Sequence, residues 1–367
     1  MADWYTIDNI AELDTPALVV YPELVRENIR NAVAMVGDPA RLRPHVKTHK
    51  SPAVTRLLLE AGVTQFKCAT IAEAEMLAIE GAADVLLAYQ PIGPKAARLA
   101  ELIRKYPATK FSCLIDSEAA ARAMAAVYIA AGFDVPVWLD INVGMDRTGI
   151  LPDAGAAGLW ELAAGLPGIT PVGLHAYDGH IRDTDPVAMA AKVDTAFAGV
   201  RALREILGGE DIPVIAGGSP TFPVHARNPA VQCSPGTFVY WDRGYADQFP
   251  LEPFKPAALV VSRVISLRGD HRICIDLGHK SIAAENEMAK RVIFLNARGL
   301  KPVGQSEEHL VLDAGDAGHG FRIGDILYGV PFHVCPTVAL YDRAYTVEDG
   351  QVTGEWKNIA RDRKLTV

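Results

Sequence analysis

Between residue 17 and about residue 245, short β-branched or aromatic-rich runs alternate with longer Ala, Leu, Glu and Arg segments whose apolar residues recur at helical spacing. The strand candidates are 17–21, 42–47, 66–70, 85–89, 110–116, 136–143, 169–177, 213–219 and 231–240. Helix ends are marked between them. Ser117 with Glu118 opens a segment that Gly132 closes, and Pro94 stands where a helix loses one backbone donor without cost. Such repetition over ~225 residues predicts an α/β chain whose parallel sheet closes into a (β/α)8 TIM-type barrel, usually ~250 residues long. The alternative, an open doubly wound sheet, is weakened because no Gly-x-Gly-x-x-Gly follows the first strand.

After about residue 250 strands follow one another without intervening helices, and the turns Arg268-Gly269-Asp270 and Glu348-Asp349-Gly350 separate some of them. A second, C-terminal all-β domain is expected, with its boundary near Pro250–Pro256. Of 367 residues half are hydrophobic, enough for a large core, and the net charge of −8 comes without a long run of either sign. A nucleic-acid or anionic-membrane partner is not expected. The five cysteines, Cys68, Cys113, Cys233, Cys274 and Cys335, form no Cys-x-x-Cys pair, which excludes a disulfide framework. No apolar run reaches signal-peptide length at the start or 18 residues anywhere, so a soluble, cytoplasmic protein is expected.

In a parallel barrel the chemistry gathers at the carboxyl ends of the strands. Arg43-Pro44-His45-Val46-Lys47-Thr48-His49-Lys50 ends the second candidate strand. A lysine there is either a solvated cap or an amine nucleophile able to form a Schiff base. Gly217-Gly218-Ser219-Pro220-Thr221 and Pro235-Gly236-Thr237 follow the last two strands, where barrels often hold a phosphate on glycine N–H groups and hydroxyls. As plain turns they would be unremarkable. Arg147, in the run after the 136–143 strand, is a surface arginine or a permanent cation for a phenolate or carboxylate. His175 and Tyr177 end the next strand and can hold a ring or pass a proton.

In Pro331-Phe332-His333-Val334-Cys335-Pro336-Thr337, strand alternation would put His333 and Cys335 on one face, as a metal pair or an ordinary core pair. A lysine, a phosphate cradle and a cation at one barrel mouth suit pyridoxal phosphate.

The runs 14–29 (DTPALVVYPELVRENI), 43–50 (RPHVKTHK), 67–77 (KCATIAEAEML), Gly217–Thr221, 234–242 (SPGTFVYWD), 276–281 (DLGHKS), 306–312 (SEEHLVL) and 331–337 (PFHVCPT) together resemble the D-threonine aldolase and D-serine dehydratase family. The resemblance implies the alanine-racemase-like fold, with pyridoxal phosphate and a divalent metal (zinc, manganese or magnesium). It divides the chain into a barrel over 21–248 and a β domain formed by 1–20 with 249–367. It also implies a homodimer acting on a small β-hydroxy-D-amino acid. By the same resemblance Lys47 carries the cofactor as an imine, Arg147 lies near its ring, and Tyr177 contacts that ring. Gly217, Gly218, Ser219, Gly236 and Thr237 bind the phosphate, with Tyr240 beside them, and His333 and Cys335 bind the metal. Lys47 and His333 are the candidate catalytic residues. Asp276 and Lys280 fall in a family motif without an assigned role.

Family aldolases commonly show His-x-Asp at the metal pair and the dehydratases His-x-Cys with zinc; this chain has Cys335. Retro-aldol cleavage of D-threonine is the favoured reaction. The alternative is dehydration of the D-serine or D-threo-3-hydroxyaspartate type, in which Lys47 removes the Cα proton. A non-catalytic cofactor carrier would lack the β domain and metal pair, and a racemase would need a second base and no metal.

Overall fold

The parallel sheet grows from strands whose residues are buried almost throughout, as a sheet covered by helices requires. The computed structural model describes residues 3–367. In chain order the first strands are β1 (Ala17–Val20), β2 (Gln65–Cys68), β3 (Asp84–Leu87), β4 (Lys110–Ile115), β5 (Val135–Ile141), β6 (Ile169–Ala176), β7 (Val214–Ala216) and β8 (Val231–Cys233). The later ones are β9 (Ala258–Arg268), β10 (Arg272–Ile275), β11 (Val292–Phe294), β12 (Lys301–Gln305), β13 (Leu310–Asp313), β14 (Ile326–Pro331), β15 (Arg343–Glu348) and β16 (Gln351–Lys357).

β2 to β8 pair in sequence order, each parallel to the next, in a curled seven-stranded sheet. Helices between them end where the sequence marks them. The Ser117 side chain accepts from Ala120 N, Gly132 is left-handed, and Pro94 opens its helix. This sheet belongs to a compact unit formed by Arg30–Lys47, Thr55–Gly236 and Asp362–Val367.

Residues 42–47 do not form the expected strand. Pro44 has no N–H for a ladder, so the segment makes single bonds to both edges of the sheet instead. Arg43 N donates to Cys233 O (2.8 Å) and His45 N to Pro235 O (2.9 Å), while Val46 N donates to Lys67 O and Lys67 N to Pro44 O (both 2.9 Å). The eighth place is thus taken by an irregular segment that joins β8 to β2. Arg43 is 1% exposed; its guanidinium donates to Gln232 (2.9 Å), Gln65 (2.7 Å) and Asp84 (2.6 Å). The candidates 213–219 and 231–240 are also shorter than expected. Gly217 turns left-handed at φ 76°, and Ser234-Pro235-Gly236 leads into a short 3-10 turn at Thr237–Val239.

The other unit comprises the residues through Ile29, Thr48–Val54 and Thr237–Arg361. Its sheet runs β12-β13-β10-β9-β1-β15-β16, with β14 on β9 and β11 on β14. β1 is antiparallel to β9 and parallel to β15, so an early strand completes a sheet made mostly of late ones. Val19, Leu259, Val261 and Val330 share its core. The β15–β16 turn has φ 49° at Asp349 and 75° at Gly350, suiting a tight hairpin.

The expected strand through His333 and Cys335 is a helix. β14 ends at Pro331, His333 is the extended N-cap at φ −132°, ψ 105°, and Val334–Leu340 is helical. Pro336 falls in the first turn, where a missing N–H costs nothing, and Thr337 Oγ1 donates to His333 O (2.9 Å). Among the described residues no helix is long and apolar enough to cross a membrane.

Candidate active site

β2, β5 and β6 bring three ionisable side chains together near their carboxyl ends. Lys67 is 3% exposed between the fully buried Phe66 and Cys68. Its Nζ lies 3.5 Å from His175 Nε2, and His175 Nδ1 lies 2.7 Å from Asp140 Oδ1. Thr148 Oγ1 donates to the other Asp140 oxygen (2.8 Å). Burial, and then the charge of Lys47, lower the Lys67 amine to about 7 against the pull of Asp140 and Asp178. Burial likewise lowers His175 although Asp140 opposes it. The Asp140 carboxyl is itself held low, since its bonds from His175 and Thr148 outweigh burial.

Lys47 is exposed in the turn after Val46, and its N–H donates to His45 Nδ1 (3.2 Å). Near the Tyr177 ring, Arg147 Cζ lies 4.8 Å and Lys67 Nζ 5.9 Å from its centroid. Tyr177 packs against two glycines: a Cβ on Gly218 would lie 2.8 Å from the ring, and one on Gly179 2.1 Å from its oxygen. The Gly217–Thr221 turn is braced from below by Asp178, which accepts from Thr221 Oγ1 (2.7 Å) and pairs with His225 Nε2 (2.8 Å). Gly236 N donates to Ser219 Oγ (3.3 Å), joining the two expected parts of the phosphate cradle.

In the other unit Cys335 Sγ stands 3.2 Å from Thr48 Oγ1 and 3.7 Å from Thr237 Oγ1. Thr48 directly follows Lys47, and Thr237 directly follows Gly236. His333 Nδ1 lies 2.6 Å from Glu285 Oε1, and Asp242 accepts from Val334 N (3.0 Å). Burial opposes a charge on His333, but the hydrogen bond and charge of Cys335, with Glu285 and Asp242, raise it to about 9. The Tyr240 hydroxyl is buried without a hydrogen-bond partner, and burial pushes its pKa up.

These residues fit the groups the sequence points to. Gly218 leaves room that a Cβ would fill, Ser219 and Thr237 bring hydroxyls, and the orphaned Tyr240 hydroxyl is a donor in want of an acceptor. An imidazole and a thiol sharing a hydrogen bond are zinc-type donors. Among the described residues no cluster of three or more His, Cys, Asp or Glu is placed to hold a metal ion. Asp276 accepts from Thr15 Oγ1 (2.5 Å) and Arg263 N (2.8 Å), while Lys280 is an exposed partner of Glu307 and Glu308. Lys67, Thr48, Asp242 and Glu285 were not picked out as site residues from sequence. A charge between two core residues of a strand was the one available signal, at Lys67.

Two family models match in order along the chain: the alanine racemase N-terminal domain over residues 21–244 and a putative serine dehydratase domain over 257–347. The chain belongs to the D-threonine aldolase and D-serine dehydratase family of alanine-racemase-like enzymes, a fold family that implies pyridoxal phosphate. It is 30% identical to a D-threonine aldolase of Arthrobacter sp, over 96% of this chain and 94% of that one. It is 28% identical to a D-threo-3-hydroxyaspartate dehydratase of Delftia sp. (strain HT23), over 91% and 94%. The crystal structure of D-threonine aldolase from Filomicrobium marinum superposes with a TM-score of 0.85 at 27% identity, over 96% of each chain.

Proposed function

We propose that the protein is a pyridoxal-phosphate- and metal-dependent lyase of β-hydroxy-D-amino acids, cleaving D-threonine to glycine and acetaldehyde. One observation carries the reading: Cys335 Sγ contacts the hydroxyls of Thr48 and Thr237, the residues that follow Lys47 and Gly236. The candidate metal pair therefore touches the residues that directly follow Lys47 and Gly236 in the chain.

When bound, the cofactor supplies an electron sink for the charge left at Cα as a bond to it breaks. The chain's own residues do the rest. Lys47 holds the cofactor through its amine, and the N–H groups of Gly217, Gly218 and Gly236 with the hydroxyls of Ser219, Thr237 and Tyr240 hold its phosphate. Arg147 provides a permanent cation beside the Tyr177 ring. His333 and Cys335 would hold the metal so that the substrate's β-hydroxyl is polarised and its proton released to solvent. The Cα–Cβ bond would break, acetaldehyde would leave, and Lys47, protonated from solvent, would return a proton to Cα, balancing the one lost from the β-hydroxyl.

Cys335 favours a second reading, dehydration, because a thiol beside an imidazole suits zinc and zinc helps hydroxide depart. There Lys47 takes the Cα proton. Incubating the protein, pyridoxal phosphate and a divalent metal with D-threonine separates the two: glycine and acetaldehyde support cleavage, whereas 2-oxobutanoate and ammonia replace it with dehydration.

A further inference from the structure

Histidine ligands bind a metal through one nitrogen while the other is held by an outer partner that fixes the tautomer and the plane of the ring. The loop from Asp276 to Glu287 reaches His333 by a route with several anchors. At its start Gly278 passes so close to Glu307 that a Cβ would meet the Glu307 carbonyl at 1.9 Å. His279 N and Lys280 N then donate to Ser306 O (2.9 Å) and Glu307 O (3.1 Å).

Further on, the loop is fastened to the helix that carries Cys335. Tyr341 Oη donates to Ser281 O (2.7 Å), and Ala283 N donates to Thr337 Oγ1 (3.2 Å), which itself bonds His333 O. Two residues later Glu285 places Oε1 2.6 Å from His333 Nδ1.

We propose that Glu285 is the positioning residue of the metal centre: its carboxylate accepts the Nδ1–H hydrogen bond of His333, aims the ring, and leaves Nε2 as the ligating nitrogen. The inference rests on reading His333 and Cys335 as the metal pair. A centre with two protein donors depends more on their orientation than one with four, because no third ligand corrects a misplaced ring. The plainer interpretation is a half-exposed ion pair, worth little to anything.

The test is competitive titration of the full chain with zinc against a chromophoric chelator, and with cobalt(II) to read the thiolate charge-transfer band. Glu285→Ala should weaken zinc binding about 10–100-fold, the usual effect of losing an outer partner. Glu285→Gln, which keeps an acceptor for Nδ1–H, should restore much of it, and melting temperature should not follow this order. Zinc binding by Glu285→Ala as tight as wild type, with binding lost in Cys335→Ala, overturns the role of Glu285 alone. A wild-type chain that binds no zinc, or binds it equally after Cys335→Ala, overturns the metal-pair reading and this inference with it.

Discussion

Thr48 Oγ1 and Cys335 Sγ lie 3.2 Å apart, although almost the whole chain separates them. Thr48 is fully buried, so its hydroxyl is held on the sulfur by packing around it. Thr237 approaches the same sulfur from the end of the cradle segment. A change at Cys335 therefore acts on the segment that follows Lys47 as well as on the proposed metal pair.

Lys47→Ala should remove the Schiff-base absorbance of the protein with pyridoxal phosphate and lower turnover about 100-fold or more, the usual scale for a proton-transferring group. Absorbance that persists in the variant would place the cofactor on another amine.

Cys335→Ala should cost metal affinity at least about 100-fold, more than outer partners carry. Activity should fall with a chelator in the wild type and return on adding zinc or manganese. Turnover indifferent to the chelator would remove the metal from the mechanism.

Gly218→Ala inserts a methyl 2.8 Å from the Tyr177 ring. Overpacking costs about 1–3 kcal/mol, so pyridoxal phosphate should bind about tenfold more weakly or worse by titration. An unchanged dissociation constant would show that Tyr177 is not part of the cofactor site.

Lys67 binds fewer protons folded than unfolded between about 7 and its ordinary value of 10.5. Stability should therefore rise with pH across that window and carry the full penalty below it. Lys67→Met should flatten the profile and keep or raise the melting temperature at neutral pH. A variant with the wild-type slope would mean that the amine stays charged on folding.

Local signals made much of this legible. β-branched runs located most strands, and Ser117, Gly132 and Pro94 ended helices as their chemistry requires. Gly217 and Gly218 stood out because they lie in a short motif after a strand, and Lys47 because of the His- and Lys-rich run around it, although that run is not a strand end. Pairings across the chain had no such signal. Nothing near Glu285 in sequence points to His333, and Lys67 meets His175 only once β2 and β6 occupy the same sheet. His333-Val334-Cys335 misled because three residues are too few for alternation to tell a continued strand from the first turn of a helix, and β14 ends just before them at Pro331.

Arg43 sets the order in which the parallel sheet can be finished. Its guanidinium joins β2 and β3, through Gln65 and Asp84, to Gln232 of β8. On a ribosome the early partners emerge with the arginine, but the last does not exist until β8 has been made. Until then a cation meant for a sealed seam faces water, and the sheet stays open at residues 42–46. The seam can close only once β8 has been made, since Gln232 is one of the partners that cover the Arg43 guanidinium.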